Sequence, residues 1–533
     1  MAFAPSEFDQ SASPRLHETI HPDAGPWTPI FESQCSFNPK AFYEVMSTLI
    51  RNPNINSSWL FRADILFEHD GELCDAISVN GSNSETPHAP RMAAFEGFAL
   101  QKILVRRLIP RNEQRDKPLE QTCLIYHSRP RVTSDHEISE SASGDDDTSQ
   151  EQSLVVYIPH LSSPDEVPFY HPVVQGIGFL HTWDRLQSSG SISIHFLLFP
   201  IVELESRTRS PKIVRTALSL LTVIHKHGTG KMRGYVKRVH HDNLVPQANL
   251  QNRYADLKRK HARRLIKEWA EVTDPEKHVF EDLGIASFLI ELWEDMYSRA
   301  DRPFPGFVDI GCGNGLLVHI LNLEGFYGWG FDARPRKSWE VYRRGEPGSE
   351  NLRQKVLVPS LVEIDHRALS SDEALNGDLI HDGIFPRGTF IISNHADELT
   401  PWTPLIATHS DCPFMMIPCC SHSLTGARYR APPPPKDQTK SGSMYSSLVY
   451  WVAQITIDCG WEPETEMLRI PSTRNAAIIG RRLLVQNTRN TAVVGRERAS
   501  LNVDLQDVIK KYGGTKGYYE NVIKLLRTKP RGH

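Results

Sequence analysis

A Gly-x-Gly-x-Gly turn at Gly311, Gly313 and Gly315 limits what this chain can fold into more than any other stretch. It follows Phe307-Val308-Asp309-Ile310, a short apolar run broken by one acid, which predicts a buried parallel strand. Leu316 to Leu321 then opens a helix. Glycines at alternate positions permit unusual φ and ψ and let a ligand come close to the backbone. The spacing is not the Gly-x-Gly-x-x-Gly of dinucleotide sites. A second run, Gly328-Trp329-Gly330-Phe331, ends in Asp332, at about the twenty-residue distance where a Rossmann fold places a ribose-binding carboxylate. Strand, glycine turn, helix and second-strand acid, in that order, predict an α/β domain with its ligand crevice at the strand ends.

The arrangement resembles the first motif of Rossmann-type S-adenosylmethionine methyltransferases, which implies S-adenosylmethionine as methyl donor. Asp309, Gly311, Cys312, Gly313, Asn314, Gly315 and Asp332 are then the expected donor-binding residues. The amino-acid end would lie beside the glycine turn, where helix-start amides suit a carboxylate, and the ribose diol on Asp332, whose two oxygens match two vicinal hydroxyls. The competing readings are a nucleotide-binding fold of another kind and a Rossmann domain without its ligand.

With 533 residues the chain has room for two or three domains. A net charge of −4 excludes a generic polyanion binder, so any nucleic-acid surface must be a local basic patch. Eight scattered cysteines, with no Cys-x-x-Cys pair, argue against a disulfide framework or zinc ribbon and fit a reducing, cytoplasmic setting. No apolar run approaches the 18 or so residues of a membrane span, and the polar N-terminus lacks a signal-peptide core.

Residues 1–35 lack periodicity and read as a flexible lead-in. An α+β domain is expected over 36–228, with a helix at Phe42–Ile50, strands at 59–67, 99–109, 121–127, 153–158 and 191–199, and a closing helix at 211–227. Within it the acidic, Ser-rich stretch near 134–152 buries no apolar surface and reads as disordered. Residues 229–300 form a basic and then apolar helical region, in which Asp274-Pro275-Glu276 is a helix-start signal. The Rossmann-like methyltransferase domain is expected over 301–490, with a strand at Phe390–Ser393, a helix N-cap at Thr400, a strand at Phe414–Cys420, a helix at 444–459 and a strand at 476–485. A helical tail covers 491–533.

At Asn394-His395-Ala396-Asp397-Glu398-Leu399-Thr400-Pro401-Trp402 the chain ceases to be a generic methyltransferase. With 308–321, Pro418-Cys419-Cys420, Arg469-Ile470-Pro471-Ser472-Thr473 and His278-Val279-Phe280-Glu281-Asp282, it resembles the eukaryotic tRNA (uridine-2′-O-)-methyltransferase family over roughly residues 230–485. The resemblance implies methylation of the uridine ribose at position forty-four of serine tRNA. It leaves open a methyltransferase of protein or small molecules and a catalytically inactive RNA-binding relic. It says nothing of oligomeric state.

The strand-end loop after Ser393 is where an open α/β sheet exposes its crevice. Asn394 there is a further donor or target ligand, and Asp397 and Glu398 are candidates for base or orienter, since a ribose hydroxyl is a poor nucleophile at neutral pH. Their bland reading is charge at a helix N-terminus. Lys258, Arg259, Arg263 and Arg264 on the basic helix, with Arg334, Arg336 and Lys337 after the second strand, are the candidate phosphate-contacting track; few acids are interleaved to compensate them. Cys419, Cys420 and His422 lack the spacing of a structural zinc site and read as packing or pocket lining, so no metal is expected.

Overall fold

A computed structural model describes residues 3–8, 16–70, 88–112, 115–128, 150–199, 211–235, 241–298, 302–343, 351–362, 377–435, 443–483 and 503–527. The chain divides into two compact units, Met1–Lys237 and Arg238–His533.

The first unit is an eight-stranded antiparallel sheet. Its strands are β1 (Ser6–Glu7), β2 (Trp27–Cys35), β3 (Leu60–Asp70), β4 (Phe98–Pro110), β5 (Leu119–Ser128), β6 (Gln150–Pro159), β7 (Gly176–Asp184) and β8 (Ser189–Leu197), in the order β1-β2-β8-β7-β6-β5-β4-β3. Helices Pro39–Arg51 and Pro211–Met232 lay Phe42, Met46, Ala217 and Leu221 against Ile125, Val155, Phe179 and Ile194 of the sheet, so one face is buried under helices. The α+β expectation holds.

Three strands of this unit, β1, β2 and β7, escaped the sequence reading. The expected flexible lead-in over 1–35 is corrected by β2, which pairs with β8 from Trp27↔Leu197 to Cys35↔Gly190. Pro29 cannot donate to the ladder and the register shifts between Pro29 and Phe31, which blurs the period-two pattern. In β7, which the sequence reading did not place, Gly176 gives space to a neighbour: a Cβ there would stand 2.4 Å from the Trp27 ring. The acidic stretch near 134–152 lies outside the described residues up to 149, and β6 begins at Gln150.

The second unit holds a seven-stranded sheet of β9 (Phe307–Ile310), β10 (Gly328–Asp332), β11 (Leu352–Gln354), β14 (Phe390–Asn394), β15 (Phe414–Ile417), β16 (Trp461–Met467) and β17 (Ala476–Leu483); β12 (Val356–Leu357) and β13 (Ile380–His381) pair separately. The order is β11-β10-β9-β14-β15-β17-β16, with only β17 reversed. Chain direction across the sheet switches between β9 and β14, so the crevice opens at their carboxyl ends.

Side chains alternate across β9. Val308 and Ile310 join the core under helices Thr403–Ser410, Met444–Asp458, Leu505–Lys511 and Tyr518–Arg527, whereas Phe307 packs with helices Pro275–Trp293 and Leu316–Leu323 on the other face. Asp274 caps the Pro275 helix through the amides of Glu276 and Lys277.

Residues 505–527, read as a tail, are packed structure. Val508, Ile509, Tyr518, Val522 and Ile523 are buried in the first of these cores, and the Tyr518 hydroxyl donates to the Leu357 carbonyl over 2.8 Å. The helix expected to start at Thr400 begins earlier, as a 3₁₀ turn over Asp397–Trp402 that runs into Thr403–Ser410. β16 was missed because it is an edge strand of charged residues, with Pro463 at a register shift.

Candidate active site at the carboxyl ends of the strands

The glycine turn leaves β9 with all three glycines at positive φ: Gly311 at 70°, Gly313 at 52° and Gly315 at 74°. A Cβ on Gly311 would stand 3.0 Å from the Ala396 Cβ, and one on Gly315 would meet the Leu352 side chain at 2.6 Å. At Gly313 it would meet no protein atom within 4 Å. That glycine therefore faces the space a ligand needs.

Asp332, at the end of β10, closes the turn from the other side. Its Oδ2 accepts from the Gly313 amide at 3.1 Å and its Oδ1 from the Arg334 amide at 3.1 Å. Asn314 Oδ1 accepts from the Leu316 amide at the helix start, while its carbonyl and that of Gly313 accept from the Ser338 hydroxyl and the Trp339 indole. The turn is thus held by β10 and by the segment after it. Burial raises the Asp332 carboxyl above its ordinary range, against the pull of these amides and of Arg336.

Asp309 is buried in β9 at 1% exposure. Burial first, and then the carboxylates of Asp282 and Asp332, hold it well above the usual carboxylate range. Asp282, on the Pro275–Trp293 helix, is pushed up to about 8 by burial and by Glu281, opposed by the Asn394 side-chain amide that donates to its Oδ1 at 3.4 Å. Next to Asp282, Glu281 bonds His395 at 3.1 Å. Sequence reasoning missed Asp282 and Glu281 as site residues. The signal was there: two adjacent acids in a helix otherwise apolar nearly all round.

Several buried polar atoms here lack a partner: Asp309 Oδ1, Ser393 Oγ, Asn394 Oδ1 and His395 Nδ1. Unpaired buried acceptors next to an open glycine cradle suit a polar, cationic guest, because each costs free energy until it is paired. S-adenosylmethionine fits: an ammonium for the carboxylates, a carboxylate for turn amides and a ribose diol for Asp332.

The loop after β14 strains to present its acids, with His395 at φ 52° and Asp397 at φ 44°. Asp397 accepts from the Cys419 thiol at 3.0 Å. Burial raises the Glu398 carboxyl, helped by the charges of Asp397 and Asp332 and opposed by Arg334. Both acids stand in the first turn of the 3₁₀ helix, so dipole complementation coexists with a place at the crevice.

The basic candidates divide. Asp256 takes Arg259 at 2.5 Å and Lys260 at 2.8 Å, Glu324 takes Lys260 at 3.1 Å, and Lys258 lies over the Phe280 ring at 4.8 Å. The expected lack of compensating acids is therefore corrected for this part of the helix: Glu324 is remote in sequence, and Asp256 sits one turn back. Arg263, Arg264 and Lys267 are exposed and have no ion-pair partner among the described residues. Arg334 is committed to the Leu525 carbonyl, Arg336 is half-buried near Asp332, and Lys337 is exposed.

Fold order and donor-shaped site define an S-adenosylmethionine-dependent methyltransferase. Residues 244–359 match the family described as "Predicted AdoMet-dependent methyltransferase", and residues 6–238 match "TRM44-like, N-terminal bet v1-like domain". The chain is 52% identical over 531 residues to a tRNA (uracil-O(2)-)-methyltransferase of Neurospora crassa, covering 99% of this chain and 98% of that protein. It is 37% identical to proteins of the same name from Saccharomyces cerevisiae and Schizosaccharomyces pombe, in each case over 95% of this chain and 94% of the relative. The chain belongs to the tRNA (uracil-O(2)-)-methyltransferase family. No solved structure matches it. Among the described residues, no helix is long and apolar enough to cross a membrane.

Proposed function

We propose that this protein methylates the ribose 2′-hydroxyl of a uridine in tRNA, at position forty-four of serine tRNA. The observation that carries the reading is the set of partnerless buried acceptors, Asp309 Oδ1 and Asn394 Oδ1, beside the Gly313 cradle and the Asp397–Glu398 loop. The names of the relatives and the motifs of the Asn394–Trp402 loop support the choice of tRNA.

S-adenosylmethionine, when bound, supplies an electrophilic methyl on a sulfonium. Asp309, coupled electrostatically to Asp282, would hold the donor's ammonium, and Asp332 its ribose diol. Holding the donor at both ends would position it for in-line displacement, which depends on such placement. Glu398, its carboxyl raised by burial, would accept the proton that the 2′-hydroxyl loses on methylation. Arg263, Arg264 and Lys267, with Lys258, Arg259, Arg336 and Lys337 as lesser contributors, contact phosphates and position the RNA without reading its sequence. This division of labour follows the two compact units, Met1–Lys237 and Arg238–His533, the second carrying the basic helix and the C-terminal helices.

Incubation with methyl-labelled donor and total tRNA, followed by nuclease digestion, tests the reading. Label in 2′-O-methyluridine that maps to position forty-four of serine tRNA supports it. Label in protein alone, or tRNA binding without label, overturns it.

A further inference from the structure

Two strand-end loops bring three metal-ligating side chains together beside the crevice, and we propose that Asp397, Cys419 and Cys420 bind a thiophilic divalent cation, zinc by preference. One carboxylate oxygen and two sulfurs lie within 4.8 Å of one another, and Cys419 Sγ is 3.0 Å from Asp397 Oδ1. A tetrahedral zinc ion, with bonds of about 2.3 Å to sulfur and about 2.0–2.2 Å to oxygen, holds its ligands roughly 3.5–4 Å apart. Small rotamer changes bring the three donors to that spacing.

The spacing argument against zinc compares only neighbours along the chain. Here the third ligand comes from the loop after β14, 22 residues before Cys419, and the two cysteines follow β15. Neighbouring parallel strands place the two loops side by side. A solvent water supplies the fourth donor. One carboxylate and two thiolates form a set that suits zinc over magnesium or calcium, which prefer oxygen throughout.

Coordination is balanced without an oxidant. Both thiols lose their protons to solvent, the carboxylate is already anionic, and the bound dication leaves the cluster with one net negative charge. The Cys419 S–H now directed at Asp397 is replaced by a sulfur–metal–oxygen bridge. Cys420 is exposed, which gives the ion a path in. The bridge ties the Asn394–Glu398 loop to the end of β15 and so fixes Glu398 at the crevice mouth.

The test is metal content, read independently of methyl transfer. Full-length protein purified without chelator should carry about one zinc per chain by elemental analysis. Cobalt substitution should give a thiolate-to-metal absorption band. Cys420→Ser should weaken zinc at least tenfold against a chromogenic chelator, and Cys419→Ser with Cys420→Ser should abolish it. Because Cys420 is exposed, its replacement keeps the fold, checked by circular dichroism and donor affinity; should the Cys419 variant unfold, Cys420→Ser and Asp397→Asn decide the matter. Protein that neither retains zinc nor takes it up from micromolar free metal overturns the proposal, as does equal zinc in the double variant. Either result leaves the methyl-transfer reading to stand or fall on its own assay.

Discussion

The Gly313 amide donates to Asp332 Oδ2 over 3.1 Å, so the turn after one strand is tied to the acid that ends the next. Asp332 therefore orders the glycine turn, and under the proposed function its remaining acceptor capacity would take the donor's ribose diol. Replacing it by Ala should weaken S-adenosylmethionine binding at least tenfold, measured by isothermal titration. Unchanged affinity would remove Asp332 from the donor site.

The glycines separate stability from binding. Gly315→Ala puts a Cβ against Leu352 at positive φ and should destabilise the fold by about 2–3 kcal/mol, seen as a lower Tm. Gly313→Ala has only the left-handed backbone cost, about 1–2 kcal/mol. It should nonetheless lose donor binding, because its methyl enters the ligand's space. Equal binding loss at equal destabilisation in both variants would refute the distinction.

Asp309 is buried and Asp282 half-buried, each within reach of the other's charge, and both carboxyls are raised. A native acid with a raised pKa binds its proton where the unfolded chain has lost it. Stability from these groups therefore falls as pH rises above the ordinary value near 3.8, until Asp282 has ionised at about 8. Asp282→Asn should flatten that decline and raise the donor-free Tm at pH 8.5 by roughly 2–5 °C. It should also weaken the donor, whose ammonium loses a partner. A variant that keeps the wild-type pH profile of Tm would show that Asp282 is not the titrating group.

The basic helix offers unequal contributions. Arg263→Glu, Arg264→Glu and Lys267→Glu together should weaken tRNA binding more than tenfold and reduce the salt slope by about 2–3. Arg259→Glu should do less, since Asp256 already holds that side chain at 2.5 Å. Donor affinity should not move in either variant. A triple variant with wild-type tRNA affinity at every salt concentration would place the RNA elsewhere.

The C-terminal helices are part of the methyltransferase core. Tyr518 packs edge-on against Trp402 at 5.2 Å between ring centres. Tyr518→Phe should cost about 1–2 kcal/mol through the lost bond to Leu357, and Tyr518→Ala about 3–5 kcal/mol, by denaturant titration. A Tyr518→Ala protein of full stability would mean that these helices are dispensable.

The sequence alone determined the local devices: the strand-turn-helix at Phe307–Leu321, the acid ending β10, and the capped helix at Pro275. Each depends on residues close in the chain, where glycine placement, apolar runs and capping side chains act directly. Tertiary structure decided what distant segments do to one another. It put Asp282 beside Asp309, Glu324 under the basic helix, Asp397 against Cys419, and the C-terminal helices in the core. β2 and β7 were hidden for the same reason: Pro29 and Gly176 weaken a local pattern, and only pairing with β8 and room for Trp27 explain them. Short-range sterics and hydrogen bonding can be read from neighbouring letters, whereas charge pairing and burial between remote segments exist only once the chain has folded.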